Sequence, residues 1–210
     1  TASVSAGVAG VSGAGVDVDS IIDNNVAVRI DGGSIIEDGE DVTITAKETS
    51  DIFADAAAAA ASFSIGVAGG VALMDATVNS SVSTFIDDAR IDVDNIAIEA
   101  ANQARVPRNF TVGVAGSAGV GVVQNRATTN ITPLTSTTLI DADITADTIA
   151  VTASGEHLGH AEADGGAFGG VADTGMVART NLGRGAGIDE VRATVGSGSE
   201  LSADEVVIRA

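Results

Sequence analysis

Four acidic residues hold one place relative to a recurring sequence ending. Glu40, Asp94, Asp147 and Asp204 each stand six residues before an alanine that closes a short alternating stretch. A second set follows an apolar residue: Asp31 after Ile30, Asp87 after Ile86 and Asp141 after Ile140, with Gly196 at the fourth place. Carboxylates in flexible turns are the usual ligands of Ca²⁺, a hard cation that takes oxygen donors. If the repeats stack one per coil, each set becomes a column of acids about 5 Å apart, and neighbours repel by roughly 1 kcal/mol in water. Bound Ca²⁺ would remove that repulsion. These seven residues are therefore the candidate metal ligands, and Ca²⁺ is the candidate cofactor. The competing reading is that Asp and Glu cap solvated turns, where Asp is common for backbone reasons. No loop matches an EF-hand or the Gly-Gly-x-Gly-x-Asp calcium repeat.

Other chemistry is weaker. His157 and His160, with Glu156 and Glu162 beside them, could hold a transition metal. They lack the HExxH spacing, and a solvated inter-repeat loop is the expected setting. Arg105-Val106-Pro107-Arg108 is the most basic spot and, with the His157 segment, the place where a binding module would show a ligand site. Gly13-Ala14-Gly15 lacks the third glycine of a dinucleotide loop. A β-helical polysaccharide-degrading enzyme would need paired carboxylates and usually sugar-stacking aromatics. Trp and Tyr are absent, and no carboxylate stands apart from its repeat. The reading is non-enzymatic.

The elements that position these residues are repeats. The endings are Val42-Thr43-Ile44-Thr45-Ala46, Ile96-Ala97-Ile98-Glu99-Ala100, Ile149-Ala150-Val151-Thr152-Ala153 and Val206-Val207-Ile208-Arg209-Ala210. Apolar and polar residues alternate in three of them, the mark of a strand with one face buried. The closing alanines lie 54, 53 and 57 residues apart (46 to 100, 100 to 153, 153 to 210). A fixed period signals a repeat array. The predicted fold is an all-β, elongated parallel β-solenoid: a single domain, 1–210, of four degenerate repeats at 1–46, 47–100, 101–153 and 154–210. A period of about 54 residues leaves open two coils per repeat, or one coil plus a hairpin. A β-sandwich is the alternative.

Each repeat also carries a glycine-rich strand, as in Gly7-Val8-Ala9-Gly10, Gly66-Val67-Ala68-Gly69 and Gly113-Val114-Ala115-Gly116. Val4, Phe63 and Phe110 each precede such a motif by three residues, which predicts an apolar column between repeats. The alanine run in 52–61 is read as strand over helix, because alternation continues through Phe63, Ile65 and Val67. The threonine-rich run 128–138, broken by Pro133, is expected to be an edge or loop. The fourth repeat is the most decayed, loosened by Gly183, Gly185 and Gly187. Close packing at the glycine strands predicts that Gly116→Val disrupts the array, whereas Glu99→Gln on an outer face does not.

The phrase Ile-Asp-x-x-x-Ile-x-x-Asp-x-Ile-x-Ile-x-Ala after a Gly-Val-Ala-Gly strand resembles repeats of very large bacterial surface proteins, the filamentous haemagglutinin-like and leukotoxin-like adhesins. Here it reads as 66–69 with Ile86-Asp87 and 96–100, and as 113–116 with Ile140-Asp141 and 149–153. The resemblance covers essentially the whole chain. It implies secretion to a prokaryotic cell surface, a β-solenoid shaft, and adhesion or fibre building. Partners would then be the chain itself, end to end or as tandem repeats, with other cells or surface glycans as ligands. Composition agrees. The net charge is −19, Lys47 is the only lysine and there is no Cys. Such a surface disfavours nucleic acid and anionic membranes, and residues 54–61 are too short and, with Asp55, too acidic to insert into a bilayer. The chain starts at Thr1 without Met, which reads as a processed chain or an excerpt.

Overall fold

Small and β-branched residues alternating with polar ones favour extended backbone, and the chain is all-β. A computed structural model describes residues 1–7, 10–62, 65–183 and 190–210. Phe63, Gly185, Gly187 and the middle of the Gly7-to-Gly10 motif, used in the sequence reading, lie outside the described residues. The strands are β1 (Ala2–Gly7), β2 (Val11–Ile30), β3 (Ser34–Ser62), β4 (Val67–Ser117), β5 (Val120–Thr145), β6 (Thr148–Gly159), β7 (Glu162–Phe168), β8 (Val171–Leu182), β9 (Glu190–Val195), β10 (Glu200–Ser202) and β11 (Glu205–Arg209). They form one sheet in which every pairing is parallel.

The partner of each residue lies one repeat further along the chain. Offsets run from 51 residues (Val120 with Val171) to 57 (Thr148 with Glu205). The four sequence endings lie side by side: Ile44 pairs with Ile98, Ile98 with Val151 and Val151 with Ile208. Side-chain bonds show that the chain runs out along one wall and back along another. Ser80 Oγ donates to Asn102 Oδ1 (3.1 Å), Thr84 Oγ1 to the Glu99 carbonyl (2.7 Å) and Thr137 Oγ1 to the Thr152 carbonyl (2.7 Å). Inward residues of the two walls share one core layer.

That layer tapers. Beside the acidic turns it holds large aliphatics, Ile86, Ile91, Ile98, Leu139, Ile144 and Ile149 among them. Towards the glycine turns it narrows to Ala54, Ala56, Ala58, Ala60, Ala68 and Ala72. The walls approach closely there: a Cβ added to Gly70 would meet the Val114 carbonyl oxygen at 3.2 Å and that of Ala58 at 3.6 Å. Alanine's helix preference yields to this packing, and residues 52–61 are extended within β3, with Ala54, Ala56, Ala58 and Ala60 inward.

Two sequence expectations are corrected. The threonine-rich run is not an edge or loop but lies inside β5, paired with β4 on one side and with β8 and β9 on the other. Its alternate residues Thr129, Thr135 and Thr137 are buried, and threonine's branched Cβ suits the pleat. Pro133 pairs with Ser80, and among the described residues it lies between the pairs Ile131–Leu182 of β8 and Leu134–Glu190 of β9. Pro107 sits at the irregularity where Asp51 pairs with Arg105 but Phe53 with Arg108, so the residue that cannot donate occupies a bulge.

The second correction concerns the glycine motifs. Gly113 pairs with Ala58 and Gly165, not in the column of Gly66. Val4 pairs with Ala59, and Phe110 with Asp55 and Glu162, so the proposed apolar column does not form through them. The stacked positions are Val11, Val67, Val120 and Val171, each entered from a glycine (Gly10, Gly66, Gly119, Gly170). Gly116 has no atom within 4 Å of an added Cβ, so the close packing on which the Gly116→Val expectation rests is absent at that residue.

Candidate functional site

The predicted acids fall on the turns that join the two walls. Asp147 N–H donates to the Asp94 carbonyl (2.7 Å), and Asp204 N–H to that of Asp147 (3.1 Å). Glu40 is level with Asp94, because Gly39 pairs with Val93 and Asp41 with Asn95. Glu40, Asp94, Asp147 and Asp204 thus climb one exposed corner and line a groove of about 590 Å³ with Asp38 and Asp92. Among the described residues, no three His, Cys, Asp or Glu side chains converge as the ligands of one ion would. An adjoining column relieves the charge: Asn95 Nδ2 donates to Asp41 Oδ1 (2.9 Å) and Thr148 Oγ1 to Asn95 Oδ1 (2.6 Å).

The second acidic set is only partly brought together. Ile30 pairs with Ile86, which puts Asp31 level with Asp87, and Arg29 bonds Asp31 and reaches Asp87 at 3.9 Å. In the next layer Asp87 pairs with Ile140 and Ala89 with Ala142, so Asp141 is level with Asp88. The sequence alignment was one residue out. The column that forms has a backbone cause. Gly33, Asp88, Asp141 and Gly198 have φ of 75°, 50°, 49° and 76°, a left-handed corner that glycine adopts freely and Asp tolerates better than most residues. Asp88→Gly should therefore hold or raise the melting temperature, while Asp88→Val should lower stability by about 1–2 kcal/mol. Thermal melts of the two variants check this, and an equal effect would remove the backbone explanation.

The basic segment is occupied within the fold. Arg105 pairs with Glu156 (2.8 Å) in the next layer and Arg108 with Asp55 (2.7 Å) in the preceding one. Arg126 reaches Asp75 in the same manner (3.0 Å). Such exposed pairs are worth at most about 1 kcal/mol each, but they tie layer to layer and engage both cations of the segment. His157 lies in β6 rather than in a loop, paired with Ala104. His160 follows that strand, 3.5 Å from Glu162. Asn109, whose Asn-Phe-Thr context fits a glycosylation acceptor, is fully buried.

No family description, curated protein or solved structure matches this chain. The site is therefore read from its own geometry.

Sequence reasoning missed the polar groups inside the walls. Glu48, Ser50, Ser80, Asn102, Asn109 and Asn125 are all buried, beside Ala104, Val78 and Val123. Asn24 Nδ2 donates to Glu48 Oε1 (3.0 Å), Asn102 Nδ2 to Ser80 Oγ (2.9 Å) and Asn109 Nδ2 to Thr129 Oγ1 (3.0 Å). The available signal was a polar residue at an inward step of an alternating run, as in Ala100, Asn102, Ala104. The hydrogen-bonded members penalise slipped registers, because a slip would leave them unpaired, while Glu48 Oε2, Asn109 Oδ1 and Asn125 Oδ1 are buried without a hydrogen-bond partner.

Proposed function

We propose that this chain is a segment of an extracellular, non-enzymatic fibre shaft of a prokaryotic cell surface: a parallel β-solenoid with one flattened coil per repeat. The observation that carries this reading is the pairing offset, which equals the repeat period of the sequence endings. Each layer then presents the same backbone edge to the next, and a stack can be lengthened without new contacts. In the described residues β2 pairs on one side only, and so do β8 to β11. Open edges of this kind template further strands, supplied by further repeats or by another copy.

The dimensions define the product. A wall such as β2, with 20 residues, spans at most about 66 Å at about 3.3 Å per residue, while each coil adds about 4.8 Å along the axis. The shaft is a broad ribbon whose length comes from coil number. Its acidic corners keep it soluble and self-repelling, and Ca²⁺ enters as a counter-ion of the Asp94, Asp147 and Asp204 column.

Electron microscopy of the purified chain, in Ca²⁺ and in chelator, tests the reading. Uniform ribbons that lengthen with protein concentration are expected, and isotropic single particles under all conditions would remove self-extension. Thermal melts test the cation. Millimolar Ca²⁺ should raise the melting temperature more than NaCl of equal ionic strength, and the excess should vanish in Asp94→Asn/Asp147→Asn. An identical response to both salts would reduce the corner to general screening.

A further inference from the structure

We propose that the uncharged margin beside the glycine turns is the face on which a second copy of this chain packs sideways. Residues 2–16, 56–74, 109–125 and 165–172 contain no Asp, Glu, Lys, Arg or His. Among the described residues the register superimposes their central parts: Ala2 pairs with Ala57 and Ala57 with Val112, while Val11, Val67, Val120 and Val171 follow one another on the other wall. In a chain of net charge −19, one side of the first three layers is thus poor in charge, and in the fourth the uncharged stretch narrows to 165–172, where Asp164 pairs with Val112 and Asp173 with Val122.

The same margin exposes apolar side chains. Val11, Val67, Val71, Val114, Phe168 and Val171 are 78%, 39%, 37%, 41%, 66% and 62% exposed. Exposed apolar side chains gathered on both walls beside one set of turns point to an interaction site. Its occupant follows from charge and shape. Elsewhere the outer columns are rich in acids, so two copies approaching there set carboxylates against carboxylates. The margin is where like-charged chains can meet with their acids turned away. Its outer surface has the composition of its inner one, alanine and valine with glycine between, and that composition already packs wall against wall where Gly70 faces Val114 and Ala58. A lipid surface fits less well, because the margin has no cation or Trp to anchor it and the chain is repelled by anionic headgroups. Since the margin recurs in successive layers, two stacks would pair along it. The contact is lateral and independent of the end-to-end extension proposed above.

Sedimentation velocity of the full chain over a concentration series, at low and at physiological salt, is the test. Reversible dimers, strengthened by salt as repulsion is screened, are expected. Val67→Asp/Val114→Asp should weaken association about tenfold or more, by placing unpaired carboxylates in the contact, with the melting temperature held. If that variant loses its fold, Val11→Asp/Val171→Asp, at the more exposed positions, serves instead. A wild type that is monomeric throughout would overturn the proposal. So would association that survives the margin variants but is lost in Val191→Pro, which blocks a sheet edge and would assign the contact to end-to-end stacking. Binding of a monomeric chain to neutral phosphatidylcholine vesicles would also overturn it, in favour of lipid.

Discussion

Gly119→Ala and Gly66→Ala should each lower stability by about 3 kcal/mol, the upper part of the range for overpacking a closely fitted site. The added methyl has nowhere to go. At Gly66 it would fall on the carbonyl oxygen of Gly10, and at Gly119 on that of Gly66. Those carbonyls are themselves engaged, since Val67 N–H donates to the Gly10 carbonyl (2.9 Å) and Val120 N–H to that of Gly66 (2.8 Å). Relief requires backbone movement in two layers at once, which a flexible side chain could have avoided. Gly121 belongs to the same group, with an added Cβ only 2.7 Å from the Phe168 carbonyl oxygen. Gly116→Val is the internal control. Its position is open, and the change should stay within about 0.5 kcal/mol. Urea denaturation of the three variants decides the matter: a Gly116→Val loss as large as that of Gly119→Ala would show that glycine content, not stacking of the turns, holds this end together.

The contrast shows what a reader of the sequence could and could not see. The endings were legible because their closing alanine survives in all four repeats and their period-two pattern in three, and they pair as their spacing requires. The glycine motifs were misaligned because Gly-Val-Ala-Gly recurs at 66 and 113 for two different reasons. At 66 it opens a strand after a turn, and at 113 it lies in the returning wall. String similarity cannot separate these, whereas the offset between Gly66 and Gly113, well short of the repeat period, could have done so. Asp141 was misplaced for a related reason. The offset between the second and third layers is 53 at this corner, against 56 between Ile30 and Ile86, so a constant spacing cannot locate every acid. Pro133 misled in the other direction. Proline excludes a position whose one N–H must donate to a neighbouring strand, and Pro133 lies between the β8 pairs that end at Ile131 and the β9 pairs that begin at Leu134.

Ile98→Ala should be the most damaging substitution in the core, at about 2–5 kcal/mol. Ile98 is fully buried in the wide end of the layer, among Ile44, Ile86, Ile96, Leu139 and Val151. A cavity there is hard to close. Its strand is paired on both sides, with Ile44 in one neighbour and Val151 in the other, so the backbone cannot sink inward without breaking two ladders. The adjacent Glu99 faces outward, and what it gives the core is its carbonyl, which accepts from Thr84 Oγ1. Glu99→Gln keeps that carbonyl and should stay within about 0.5 kcal/mol. Hydrogen exchange distinguishes the reading further. If each layer contacts only its neighbours, Ile98→Ala should lower protection first in residues 96–100 and in their partners 42–46 and 149–153, while 171–182 stay protected. A uniform loss over the whole sheet would instead mean that the layers unfold as one cooperative block, and the extendable ribbon would need a different energetic basis.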